Sequence, residues 1–406
     1  MTGRGAAGLL LARAFAEHPE LDAEARLTRF LAEHWHRRAL LIPQALRQFD
    51  VPLDADELAG LACEPDADAR IVRRTSRGFE SEAGPFSPER FASLGERDWT
   101  LLVNGVDLAI PGFEALLEAV RFLPDWRLDD IMISFAAPGG SVGPHHDRYD
   151  VFLLQAAGVR RWELGAVPDG DQRPQRLEGG LSLVADFLPD ARLRCEPGDV
   201  LYVPPGLVHH GIAETACLTI SVGLRAPSLR DLVTDWALTL VDELAAQTDD
   251  RPLDLDPELP AAPASLAPET LEKARRLLSD AVNGALLDEA RFAGWLGCAL
   301  TRPGRSSFQA PEADLSTGDL AAELSAGAVL QRAPGLRLLL HPAAHGTEVF
   351  AGGFRLHTPL PVAALEAFTS FAPLDRQTLA APEALRLAQG LYTAGLLELV
   401  DGDEAS

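Results

Sequence analysis

The spacing of apolar residues changes twice along the chain. From 8 to 47 they recur every three or four positions (Leu9, Leu10, Phe15, Leu27, Phe30, Leu31), which predicts helix. "RALLIPQAL" within that stretch predicts a short strand ending at Pro43, and Asp54 predicts a capped helix at "DADELAGLA". Residues 76–98 are polar and rich in Gly, Ser and Pro, and read mostly as loop. From about 100 to 225 the period becomes two. "TLLVNGV", "DIMISFAA", "DVFLLQ", "RRWELG", "DVLYVPP" and "CLTISVGLRAP" are short β-branched or aromatic runs bounded by turn residues, as in an antiparallel barrel or jelly roll. After Pro227 the helical period returns. "SLRDLVTDWALTLVDELAAQ" carries Ser228 as its cap, a Pro- and Asp-rich hinge covers 249–268, and "PETLEKARRLLSDAVN" and "LLDEARFAGWLGCAL" follow. "TRPGRSSFQAPEADLSTG" reads as a linker. The remainder mixes short strands ("VLQRA", "LRLLLHP", "EVFAGG", "FRLH") with helical "PEALRLAQGLYTAGLLELV", the pattern of a small α+β module of winged-helix type.

A length of 406 residues suits two or three domains. Sixty acidic against 36 basic residues give a formal charge of −24. That charge argues against direct nucleic-acid binding, which needs clustered Lys and Arg, and suits a basic partner. Cys63, Cys195, Cys217 and Cys298 form no CxxC pair, so no zinc ribbon or disulfide framework is expected, and a reducing cytoplasm fits. No apolar run approaches the ~20 residues that span a membrane. "AAGLLLARAFA" is interrupted by Arg13 and reads as a helix rather than a secretion signal.

Two segments carry candidate chemistry. In "GPHHDRYDVF", strand alternation puts His145 and Asp147 on one face and His146 on the other. "EPGDVLYVPPGLVHHG" fits the cupin pattern G-D-x(4)-P-x-G-x-x-H, which selects His209 and turns His210 away. Two histidines and one carboxylate could hold zinc, but they are also the facial triad that leaves Fe(II) positions open for a co-substrate and O2. "GVRRWELG" offers Arg160 and Arg161, of which one faces inward. A buried arginine needs an anionic partner, and the distal carboxylate of 2-oxoglutarate would serve. Spacing alone leaves open which arginine it is.

"DDIMISFAAPGGSVGPHHDRYDVFLLQAAGVRRWELG", "PGDVLYVPPGLVHHG" and "SVGLRAPSLRDL" resemble the bacterial JmjC-domain ribosomal oxygenases of the YcfD/RoxA type, densely over 127–232 and collinearly to the C-terminus. The resemblance implies an α+β fold with a mainly β catalytic core. A JmjC/cupin double-stranded β-helix with N-terminal helices would cover 1–228, a helical dimerisation region 229–305, and a winged-helix-like domain 306–406. It implies Fe(II)- and 2-oxoglutarate-dependent 3-hydroxylation of an arginine of large-subunit ribosomal protein L-sixteen, consuming O2, by a homodimer. His145, Asp147 and His209 are similar to the iron ligands, and Arg160 to the 2-oxoglutarate anchor. Asp130, Met132 and Tyr149 fall at the substrate-arginine pocket. Relatives carry serine at the position of Ala136, so Ser134 or Thr219 would have to assist the keto acid here. Residue patterning agrees: Asp130, Met132, Ser134 and Ala136 alternate onto one strand face, Asp130 can pair a guanidinium, and Tyr149 can stack on it. Three other readings are a histidine hydroxylase of another ribosomal protein, a metal-free cupin scaffold, and a lysine demethylase, which would need an aromatic cage beyond Tyr149.

Overall fold

The computed structural model describes residues 20–166, 175–176, 182–184, 187–247 and 266–402, with 10, 14, 15 and 18. Most of "AAGLLLARAFA" and of the 249–268 hinge lies outside the described residues. The described chain clusters into two compact units. One comprises Met1–Ala226, Pro303–Arg337 and Leu365–Ser406, the other Pro227–Arg302 and Leu338–Ala364.

The first unit is built on β1 (Leu40–Ile42), β2 (Ala69–Thr75), β3 (Gly78–Ala83), β4 (Trp99–Val103), β5 (Leu128–Ala136), β6 (Asp150–Ala157) and β7 (Arg160–Ala166). After the short pair β8 (Gln175–Arg176) and β9 (Ser182–Leu183) come β10 (Leu188–Cys195), β11 (Val200–Val203), β12 (Val208–Ala213) and β13 (Cys217–Leu224). Among the described residues they form an eight-stranded sheet in the order β1-β11-β6-β13-β5-β4-β2-β3, and a three-stranded sheet β10-β7-β12. All the pairings are antiparallel. This is the JmjC core, with the two-sheet, jelly-roll arrangement expected from the period-two runs.

Each strand of the larger sheet sends alternate residues to two different environments. Ile131 and Ile133 of β5, Phe152 and Leu154 of β6, and Ile220 and Val222 of β13 enter one apolar core with Phe30 and Leu116. That core removes most of the large side chains from water, at about 25 cal/mol per Å² of apolar surface. The intervening residues face the smaller sheet, where Val151, Leu153, Leu201 and Val203 pack with Trp162 and Leu164. The barrel is thus apolar at one end of its interior and keeps its polar residues for the other. Gly158, at φ +62°, turns β6 into β7; a Cβ there would lie 2.0 Å from the Ala216 carbonyl oxygen.

Two expectations need correction. Helix within 8–47 is confined, among the longer described elements, to Ala23–Glu33, capped by Asp22. His36, at φ +58°, then leads the chain into β1. The stretch 76–98 is not mostly loop. It contributes β3 and a helix, Pro88–Ala92. Strand β3 pairs only with β2 and is largely exposed, so its sequence GFESEA is polar and hides the strand. The helix Ala55–Leu61 does start at Asp54, in a full capping box with Glu57.

The same unit holds helices Thr317–Ala326 and Pro382–Thr393 and the pair β14 (Ala328–Arg332) with β18 (Leu397–Asp401). The second unit contains helices Leu229–Gln247, Pro268–Leu286 and Glu289–Thr301, and the antiparallel sheet β15 (Leu338–Ala343), β16 (Gly346–Ala351) and β17 (Phe354–Thr358). These helices and sheets are the elements of a C-terminal winged helix.

Candidate metal and co-substrate site

His145, Asp147 and His209 each offer a ligand atom, and these atoms lie within 4.8 Å of one another. His209 stands on β12. His145 pairs with it across an isolated bridge, His145 N–H donating to the His209 carbonyl (3.1 Å) and His209 N–H to that of His145 (2.8 Å). Asp147 lies beyond the bridge in a loop held by the Gly206 N–H donating to its carbonyl (2.8 Å), so alternation from a strand does not by itself place it. Its carboxylate lies 3.6 Å from His209 Nε2. Gly211 lets Trp162 approach: a Cβ there would meet the indole at 2.7 Å. The indole in turn lies beside His209, with ring centres 5.8 Å apart.

Both histidines are oriented through the nitrogen that faces away from the cluster. His145 Nδ1 is 2.9 Å from the Gly143 carbonyl and His209 Nδ1 is 3.0 Å from that of Leu207. A carbonyl accepts only from N–H, so each Nδ1 carries the proton and each Nε2 is left with a lone pair for a metal. Burial, and then the charge of His145, push the His209 imidazole down to about 4, so at neutral pH it is in the neutral state that ligates. Two imidazoles and one carboxylate on a partly open wall fit Fe(II) and leave room for further ligands.

His146 and His210 do not join the cluster. They are not in water either: both ring nitrogens of His146 and Nε2 of His210 are buried without a partner among the described residues. His210 Nδ1 stands 3.5 Å from Glu163, on the face of β7 opposite Trp162.

The triad opens on a cavity of about 130 Å³, also lined by Asp130, Met132, Ser134, Tyr149, Arg160 and Thr219. Arg160 enters it and Arg161 does not. Arg160 is 6% exposed. Its Nη1 donates weakly to Ser134 Oγ at 3.4 Å, and its Nε and Nη2 have no partner among the described residues. A buried guanidinium with open donors needs an anion, so the wall fits a carboxylate ligand. Thr219 faces the same cavity, its hydroxyl donating to Gln155 Oε1 (3.1 Å). Ala136 is buried with Ala213 and Cys217.

At the other side of the cavity, Asp130 Oδ2 accepts from the Gly105 N–H (3.1 Å), and its Oδ1 accepts nothing among the described residues. Burial, and then Asp129, raise the pKa of the Asp130 carboxyl. Burial, and then Asp147, push the Tyr149 phenol up to about 12, so it stays neutral and donates. Arg225 was not singled out from the sequence. Its guanidinium lies over the Tyr149 ring (4.9 Å) and its Nε lies 2.8 Å from Asp129. The signal was present: Thr219, Ser221, Gly223 and Arg225 continue one alternating face, all lining the cavity. Arg305 also lines it, from a segment that reads only as linker.

Comparisons with known proteins agree with this geometry. A JmjC-domain model matches residues 115–232, and a ROXA-like winged-helix model matches 276–398. The chain is 34% identical to the ribosomal protein uL16 3-hydroxylase of Escherichia coli, over 90% of this chain and 95% of that protein. An X-ray structure of E. coli YcfD superposes with a TM-score of 0.77 at 32% identity, covering 92% of this chain and 98% of the other. A structure of YcfD, a ribosomal oxygenase from the same organism, in complex with cobalt and 2-oxoglutarate gives a TM-score of 0.75 at the same identity and coverage.

Proposed function

The chain belongs to the JmjC-domain ribosomal oxygenases, and on that premise we propose that it is an Fe(II)- and 2-oxoglutarate-dependent hydroxylase that acts at C3 of an arginine in ribosomal protein uL16. The observation that carries the reading is Arg160. A buried guanidinium with two unpartnered donors opens on the same cavity as a two-histidine, one-carboxylate cluster, and that arrangement suits a dicarboxylate reaching from the metal to the wall. The relative that binds cobalt, here a stand-in for iron, together with 2-oxoglutarate supports it. Bound iron and 2-oxoglutarate activate O2 and supply the oxidising power for inserting one oxygen atom into a C–H bond.

The protein's own residues hold and orient. His145, Asp147 and His209 are the proposed ligands. Arg160 receives the distal carboxylate, assisted by the hydroxyls of Ser134 and Thr219. Asp130 takes the substrate guanidinium on its open Oδ1, Tyr149 packs along the guanidinium plane, and Met132 fills the space beside the alkyl stem. A buried carboxylate favours arginine over histidine, because a cation is what removes its desolvation cost. Holding the target carbon near the iron is where positioning gains rate.

The domain division 1–228, 229–305 and 306–406 remains our proposal, as does a cytoplasmic homodimer. Supporting the dimer, helix Leu229–Gln247 exposes Leu229, Val233, Leu238 and Val241, and helix Pro268–Leu286 exposes Leu271, Leu278 and Val282. Contiguous apolar faces of this kind mark association surfaces. The acidic balance supports a basic ribosomal protein as the partner rather than nucleic acid. No described helix is long and apolar enough to cross a membrane. Incubation of a uL16 fragment with protein, Fe(II) and 2-oxoglutarate should add the mass of one oxygen atom to one arginine. Addition on histidine, or equal addition by His145→Ala protein, would overturn the assignment.

A further inference from the structure

Asp130 already holds a guanidinium. Arg305 Nε lies 3.3 Å from Asp130 Oδ2, and its Nη1 pairs with Asp68 at the protein surface. The contact is a poor one. It is single-pointed, where guanidinium–carboxylate pairs are strongest as bidentate forks. Arg305 is more than a third exposed and Asp68 is more than half exposed. Asp129 shows the contrast, taking Arg225 at 2.8 Å and Arg337 at 3.3 Å. The segment that carries Arg305 is itself seated: Gly304 lies against Arg337 and Asp129, and the Arg305 stem lies near Gly105. Arg305 therefore stays at the cavity whether or not its head group is on Asp130.

We propose that Arg305 is an internal competitor for the substrate-arginine site, a specificity-determining residue that occupies Asp130 until a better guanidinium displaces it. The inference rests on the reading above that the substrate side chain is arginine. Docking moves the Arg305 head group outward, where Asp68 keeps it. The incoming side chain must outbid a guanidinium already present, so the device selects for groups that make a forked contact with Asp130. An ammonium, which is a point charge, gains less from the exchange. A ligand shifts such an equilibrium only by its differential affinity.

The test is equilibrium binding by calorimetry under anaerobic conditions, with full-length enzyme loaded with Fe(II) and 2-oxoglutarate. The probes are a uL16-derived peptide carrying the target arginine and the same peptide with lysine there. Arg305→Ala should tighten binding of the arginine peptide roughly threefold, the scale of one half-exposed ion pair. It should also narrow the preference for arginine over lysine. Asp68→Asn removes the outward partner and should weaken binding of the arginine peptide. An unchanged or weaker affinity in Arg305→Ala overturns the proposal. If that variant does not fold, Asp68→Asn decides alone, with unchanged or tighter binding overturning it. Failure of the parent enzyme to bind the arginine peptide refutes the arginine reading and this inference with it. Binding with an unmoved affinity refutes the inference only.

Discussion

Arg160 is arranged for a ligand at the expense of the fold. With no anion present, two of its donors are buried without partners. Such a group costs stability, and a neutral side chain of similar length removes the cost. Arg160→Met should therefore raise the melting temperature of the ligand-free protein by about 2–4 °C and weaken 2-oxoglutarate binding roughly 100-fold. A thermal scan with and without 2-oxoglutarate measures both, and a lower melting point without ligand would show that Ser134 already satisfies the guanidinium. Asp147→Asn keeps the shape and removes the anionic ligand. It should lower iron affinity by at least about 100-fold, read by metal analysis of anaerobically purified protein. Much at this scale was legible in the sequence, because His145, Asp147, His209 and Arg160 sit in short motifs whose periodicity fixes their faces. Arg305 was not. It comes from a loop, where no period constrains direction, and only the fold brings it to Asp130.

The strand β5 shows how an element positions a site. Its outer residues anchor it in the core while Asp130, Met132 and Ser134 line the cavity. Its start is held by Asp107, whose Oδ1 accepts from the Ile131 N–H at 2.8 Å. Burial, and to a lesser extent Asp130, raise the Asp107 carboxyl from 3.8 to about 6. Folded protein thus retains a proton that the unfolded chain has released, so stability falls as pH rises through that window and stays lower above it. Asp107→Asn keeps the acceptor and removes the charge. It should stabilise the protein above pH 6 by at most about 3 kcal/mol, with the difference gone below about pH 4. Denaturant midpoints across that range measure it, and a penalty at pH 7.5 would mean that the charge itself is needed. Elements with an apolar face were legible in this way. Strand β3 was not, because an edge strand protected by charges has the composition of a loop.

At the scale of the molecule, the change of period near Pro227 marks where the barrel sequence ends, and a unit boundary falls at the same residue. The interleaving of later segments between the two units was not legible, since composition carries no information about which unit a strand joins. The exposed apolar faces of helices Leu229–Gln247 and Pro268–Leu286 predict that sedimentation will give a dimer, and that Val241→Asp will give a monomer at micromolar concentration. A monomeric parent would remove the dimer proposal and leave the active-site reading untouched. The bridge between His145 and His209 has a further consequence, for the time the metal stays bound. Two backbone bonds, flanked by no longer ladder, tie together segments far apart in sequence. Opening them parts two ligands at once, so escape of the metal and solvent exchange of these two amide protons become one event. Both amides should exchange at a common rate in the apoprotein, and both should slow together when metal is added.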